Sequence, residues 1–181
     1  MEDSLALLPH LGAARELIDV GSGGGMPGLP LKLVRPELEV TLLEADRRKA
    51  AFLVHAAAQL GVQVTVVAER AETAARGPLR EAFDVACCRA LAALPVLVEL
   101  CLPFVRVGGR LLAMKAAGEE TTGDEAVLEA IRLLGGGSPS VHPAPSRARE
   151  RGTVVVVSKL APTPAAYPRR PGVPSRRPLG A

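Results

Sequence analysis

The residues best suited to chemistry lie in one run, Asp19-Val20-Gly21-Ser22-Gly23-Gly24-Gly25-Met26-Pro27-Gly28. Glycine tolerates positive φ and lets a backbone approach a bound group closely. Read literally, Gly23-x-Gly25-x-x-Gly28 satisfies a dinucleotide fingerprint. Two details point elsewhere. Asp19 lies two residues before the first glycine; a carboxylate there suits a cationic α-amino group and repels a pyrophosphate. Pro27 and Pro30 remove N–H donors that a phosphate at a helix start would use. S-adenosylmethionine carries the amino group and lacks the pyrophosphate, so the run favours a methyl donor over a nicotinamide. Glu44, at the end of the next apolar run, is placed to accept ribose hydroxyls of either cofactor.

Other candidates are single residues. Arg89 follows Cys87-Cys88 and could pair with the donor's carboxylate, contact a base edge and phosphate, or form a structural ion pair. Lys115 could meet phosphate or snorkel at the surface. Arg47, Arg48 and Lys49 read as a solvated face first. Cys87 and Cys88 are preceded by Ala86 rather than a proline and read as small buried residues, not nucleophiles. His10, His55 and His142 have no acid/base partner recognisable in sequence. No Asn-Pro-Pro-Tyr tetrapeptide is present to hold an exocyclic amine, and no cluster has metal-ligand spacing, so no metal is expected.

These residues need elements to hold them. Apolar runs at 16–20, 39–44, 62–67, 83–88, 110–115 and 153–160 predict strands. Helical spacing predicts helices over 28–34, 46–60, 95–105 and 119–134, with glycines in terminating positions. Alternation of the two implies an α/β doubly wound, mostly parallel sheet with right-handed crossovers, and an antiparallel last strand is compatible with it. The ends of successive strands then open onto one edge of the sheet, where cofactors bind. Residues 1–160 are expected to form one domain. Beyond it, six prolines from Pro162 to Pro178 predict an extended, polyproline-like tail over 161–181.

Charge divides along the same line. Eight basic residues and one acid lie from Ser140 onward, a surplus of seven; with +3 overall, residues 1–139 carry a net −4. A basic tail on a mildly acidic body fits a polyanionic partner, with Arg169, Arg170, Arg176 and Arg177 as candidate phosphate contacts. Aromatic residues are 2% of the chain, so the core must be aliphatic. No apolar run approaches the roughly 20 residues that span a bilayer. The start MEDSLALLPH has no basic region or cleavage signal, and three cysteines form no disulfide framework. A cytoplasmic setting with no membrane partner is expected.

Several stretches together resemble the glucose-inhibited division protein B family, the bacterial 16S rRNA guanine-N7 methyltransferases. They are IDVGSGGGMPGLPLKLVRPELEVTLLEADRRKAAFL, ERAET, CCRALAAL, ELCLPFVRVGGRLLAMKA and the tail APTPAAYPRRPGVPSRRPL. The glycine turn is common to many methyltransferases; the tail is far more specific. The resemblance implies a seven-stranded Rossmann-like sheet of the class I S-adenosylmethionine-dependent methyltransferases. It implies S-adenosylmethionine as cofactor and 16S rRNA, or the small ribosomal subunit, as partner. It implies donor contacts from Gly21 and Met26, from Glu44, Ala45 and Asp46, from Ala71 and Glu72 beside the adenine, and from Arg89. Gly23 joins them from the turn itself. Guanine N7 has a lone pair and no proton to lose, so alignment matters more than a general base, and no catalytic residue beyond a positioning Arg89 is expected.

The family usually carries helices before the first strand, ending in a motif like H-x-x-D-S-L, and Glu2-Asp3-Ser4-Leu5 looks like its last part. Without those helices one sheet face should expose an apolar patch, giving poor solubility and weak activity. Two other readings stay open: an NAD-dependent oxidoreductase, although no hydride-transfer His or Tyr-Lys pair is evident, and a non-catalytic RNA-binding or ribosome-assembly module.

Overall fold

The computed structural model describes residues 2–116, 118, 122–147 and 150–180. After a 3-10 segment Glu2–Leu7 the elements run α1 (Leu8–Leu11), β1 (Glu16–Val20), α2 (Gly28–Val34), β2 (Glu39–Leu43), α3 (Arg47–Gln59), β3 (Thr65–Val67), α4 (Ala71–Ala74), β4 (Phe83–Arg89), α5 (Leu94–Cys101), β5 (Val105–Ala116), α6 (Glu125–Leu133), β6 (Ser140–Pro143), β7 (Gly152–Ser158) and α7 (Val173–Arg176). The strands form one sheet in the order β3-β2-β1-β4-β5-β7-β6. The first five pair in parallel, and β7 runs antiparallel to both β5 and β6. The doubly wound, mostly parallel sheet is therefore as expected.

Alternation along the strands divides the core into two layers. Ile18, Val20, Leu43, Ala86, Cys88, Leu111 and Ala113 face α5 and α6 on one side. Leu17, Val40, Leu42, Val85, Cys87, Leu112 and Met114 face the other side, with Leu29 of α2 and Leu53 of α3. The expectation of a bare face needs correction here. Leu7 and Leu11 are fully buried in this second layer and help cover it. The half-buried Val156 is left at its β7 margin.

Boundaries moved where local signals misled. The apolar run at 110–115 places the expected strand start at Arg110, yet β5 begins at Val105 and holds Gly108 and Gly109 inside it. A Cβ on Gly109 would meet the Asp84 carbonyl at 2.4 Å, so the glycine permits close strand approach. The third strand is the shorter Thr65–Val67, and α5 stops at Cys101 ahead of a 3-10 turn at Leu102–Phe104. The expected helix over 119–134 begins at Glu125; its residues 119–121 lie outside those described. Edge strand β6 went unpredicted because Ser-Val-His-Pro has no apolar run.

The largest correction concerns the tail. It is not an extended arm; it folds back over the α5–α6 layer. Its prolines and irregular path leave carbonyls without sheet partners, and two arginines after α4 supply donors. Arg76 donates to Ala166 and Pro168, and Arg80 to Thr163, Pro164 and Tyr167. Arg169 binds the fully buried Glu99 of α5 through Nε and a terminal nitrogen, at 2.9 and 2.6 Å. Leu179 is buried in the core. At the tail's root the fully buried Lys159 donates to Leu102 O and Thr163 Oγ1 and lies 3.5 Å from Glu81. Burial pushes its amine down to about 8 despite that carboxylate.

Candidate donor-binding site

The glycine turn forms because β1 ends against β2. Gly21 and Ser22 N–H both donate to Leu43 O, Gly25 and Met26 N–H to Ser22 O, and Leu29 N–H to Gly25 O. Gly21, Gly23 and Gly25 take φ of 72°, 54° and 88°, which side chains other than glycine rarely adopt. Two carboxylates complete the turn from below and beside it. Asp19 Oδ2 accepts from Gly28 N–H at 2.9 Å, and Glu44 Oε2 from Gly23 N–H at 2.9 Å. Seven turn residues thus have their N–H groups committed within the protein, at 21, 22, 23, 25, 26, 28 and 29, and Pro27 has none. No run of free donors is left for a pyrophosphate, which removes the basis of the nicotinamide reading.

Above the turn, a cleft of about 520 Å³ opens at the carboxyl edge of the parallel strands. That volume lies in the ordinary range for cofactor pockets. It is lined by Val20–Gly24 and Met26, by Leu43–Ala45 at the β2 tip, by Glu69–Glu72 after β3, and by Arg89–Ala92 after β4. Lys49, Leu100 and Ser175 complete the lining. Of the residues singled out in the sequence, Gly21, Gly23, Met26, Glu44, Ala45, Ala71, Glu72 and Arg89 therefore meet at one place.

Two do not. Asp46 caps α3, accepting from Arg48 and Lys49 N–H, and donates its own N–H to Glu44 Oε1 at 2.9 Å. It holds Glu44 rather than lining the cleft. Asp19 is fully buried beneath the turn, and its Oδ1 has no hydrogen-bond partner among the described residues. Burial pushes its carboxyl up to about 7, against the Gly28 and Ser22 hydrogen bonds. The expected network around an amino group is replaced by a hold on the turn's last glycine. Between the ordinary value of 3.8 and about 7, the folded state keeps a proton that the unfolded chain has released. Stability from this group is complete below pH 3.8 and is lost as pH rises through about 7. Asp19→Asn should flatten that slope in melting temperatures measured across the window, and an unchanged slope would mean Asp19 is not its source.

Electrostatics around the cleft come from long-range partners. Glu44 is buried, and each of its oxygens accepts one backbone N–H, leaving lone pairs for a ligand hydroxyl. Arg89 lies 3.6 Å from Asp3 Oδ2, and Ser4 Oγ lies 3.6 Å from Met26 Sδ. The Asp-Ser pair near the start of the chain thus braces two cleft residues, a role sequence reading missed. Burial alone would raise the Glu72 carboxyl, but the Arg70 guanidinium and the Gly172 N–H outweigh it and hold it below its usual range. Burial pushes the Cys87 and Cys101 thiols up, consistent with packing residues and not nucleophiles.

The candidate RNA contacts separate. Lys115 is buried and donates to Ala92 O, so it fixes a cleft-lining loop instead of facing phosphate. Arg169 is committed to Glu99. Arg170, Arg176 and Arg177 are exposed. Among the described residues, no group of three or more His, Cys, Asp or Glu is placed to hold a metal ion, and no helix is long and apolar enough to cross a membrane.

Comparison with known proteins agrees with this geometry. The GidB family profile, described as rRNA small subunit methyltransferase G, matches residues 1–133. A ribosomal RNA small subunit methyltransferase G of Roseiflexus castenholzii is 51% identical over 167 residues, covering 90% of this chain and 70% of that protein. The protein of the same name from Moorella thermoacetica is 45% identical over 179 residues, covering 97% and 74%. Among solved structures, the S-adenosylmethionine-dependent methyltransferase SibL superposes with a TM-score of 0.69 at 17% identity, over 88% of this chain and 55% of its own. The T. thermophilus 16S rRNA N2 G1207 methyltransferase, solved with AdoMet and guanosine, gives 0.56 at 20% identity, over 83% and 36%. These two likenesses concern the fold.

Proposed function

The chain belongs to the GidB family of rRNA small subunit methyltransferases, and from that premise we propose that it moves a methyl group from S-adenosylmethionine to N7 of a guanine in 16S rRNA. The observation that carries the donor assignment is the cleft itself. It combines a glycine turn most of whose N–H groups are used internally with a buried carboxylate, Glu44, at the neighbouring strand tip. Among the described residues nothing lies within 4 Å of where a Cβ on Gly24 would stand, so a ligand can lie directly on the backbone there.

Bound S-adenosylmethionine supplies an electrophilic methyl, which the guanine N7 lone pair takes as the carbon–sulfur bond breaks toward sulfur. No proton leaves guanine, so the residues need only bind and align. Glu44, held by Gly23 and Asp46 N–H, accepts the ribose hydroxyls. Ala71 and Glu72 flank the adenine end. Met26 and the turn backbone at Gly21 and Gly23 border the methionine end. Arg89, braced by Asp3, places a guanidinium at the β4 tip for the donor's carboxylate or the acceptor edge of the guanine. Arg170, Arg176 and Arg177 are free to meet rRNA phosphates, whether in naked RNA or in an assembling subunit, and a cytoplasmic setting follows from that substrate.

Calorimetric titration tests the donor half. S-adenosylmethionine is expected to bind and NAD to give no saturable heat. NAD binding in its place would return the glycine turn to the dinucleotide reading.

A further inference from the structure

Donor binding as derived above makes no use of the C-terminal segment, yet Ser175 of α7 borders the donor cleft. A helix of four residues cannot hold itself in place. Both of its ends are clamped. At the front, Gly172 N–H donates to Glu72 Oε1 at 2.8 Å, and Gly172 reaches that oxygen in a left-handed turn with φ of 78°. Glu72 is 2% exposed, and Arg70 binds the same oxygen at 3.0 Å. At the back, Arg169 spans from Glu99 to the Arg177 carbonyl, which it reaches at 2.7 Å. Pro174, between the clamps, is buried, and α7 packs on α5, whose Leu100 also lines the cleft.

We propose that α7 is a wall of the donor site, with Ser175 as a donor-contacting residue and Glu72 as the positioning residue that holds α7 through Gly172. The inference rests on S-adenosylmethionine being the donor. The clamps put a small hydroxyl side chain on the β3 side of the cleft, beside Ala71 and Glu72, where the nucleoside end would lie. A buried carboxylate that spends one oxygen on a tail N–H is better suited to fixing that tail than to meeting solvent.

The test is titration of the whole chain with S-adenosylmethionine, alongside melting temperature and trypsin cleavage after Arg176. Ser175 is exposed, so Ser175→Trp should leave melting unchanged while it fills the cleft and weakens the donor by at least about tenfold. Glu72→Ala should weaken the donor by about tenfold and speed tail cleavage, whereas Glu72→Gln, which keeps an acceptor for Gly172, restores most of both. Combined with Ser175→Trp, Glu72→Ala should add little, because both act through the same wall. Wild-type affinity in Ser175→Trp would overturn the proposal, as would Glu72→Ala weakening the donor without faster cleavage. A wild-type chain that binds S-adenosylmethionine while Ser175→Trp is silent loses this inference alone; one that binds no S-adenosylmethionine loses the assigned function and the inference together.

Discussion

Arg169→Ala should destabilise the protein by about 3 kcal/mol, the lower end of what breaking a buried ion pair costs. Its partner Glu99 is 0% exposed, while the Arg169 side chain is 25% exposed, so some of the lost charge is recovered by water. After the change Glu99 keeps only the N–H of residue 169, at 2.8 Å, as a tail partner. A loss of that size is a large fraction of the 5–15 kcal/mol that holds a domain folded. Replacing both partners by leucine should recover much of it, because a well-packed apolar pair often matches a buried ion pair. Chemical denaturation of the wild-type chain and the two variants measures this. A stable Arg169→Ala variant that has instead lost RNA affinity would restore the tail as a free arm.

Glu44→Ala should weaken S-adenosylmethionine by about 1–3 kcal/mol, or roughly 5- to 150-fold. Two causes add. The ribose loses a charged acceptor, and the N–H groups of Gly23 and Asp46 lose theirs, which loosens the turn on one side and the start of α3 on the other. Glu44→Gln should fall between, since its single carbonyl oxygen cannot serve both N–H groups. Titration calorimetry reads the affinities. Unchanged binding in Glu44→Ala would remove both the ribose contact and the bracing role.

What the sequence revealed tracks how local the determinants are. β1 and α2 fell within their expected limits because an apolar run stopped by glycines, then a proline-ended helix, is written in consecutive residues. Eight of the ten expected donor contacts converge for a related reason: successive parallel strand ends meet at one sheet edge. Asp19 shows where this stops. Its position at a strand end was legible, but whether its side chain faced the cleft or the core depended on the pleat and on Gly28 lying beneath. The tail was misread for a stronger version of the same cause. Proline content reports that a segment is neither helix nor strand, and says nothing of what binds its carbonyls. Those partners, Arg76 and Arg80, lie more than 80 residues upstream. Lys115 has the sequence position of a strand-tip cation, but its amine is taken by Ala92 O, 23 residues upstream. Ser175 carries no local signal at all, since it enters the cleft only because Glu72 and Arg169 clamp its helix.

Methyl transfer to small-subunit rRNA can be measured directly. Labelled S-adenosylmethionine, purified chain and unmethylated 16S rRNA or small subunits should be incubated together, and the labelled rRNA then treated by reduction and aniline, which cleave at N7-methylguanine. The expected result is label in the rRNA and cleavage at a guanine, with Glu44→Ala depressed in step with its donor affinity. Label on another atom or base, or none while S-adenosylmethionine still binds, would contradict the assignment, and the second of these would leave an RNA-binding module in its place.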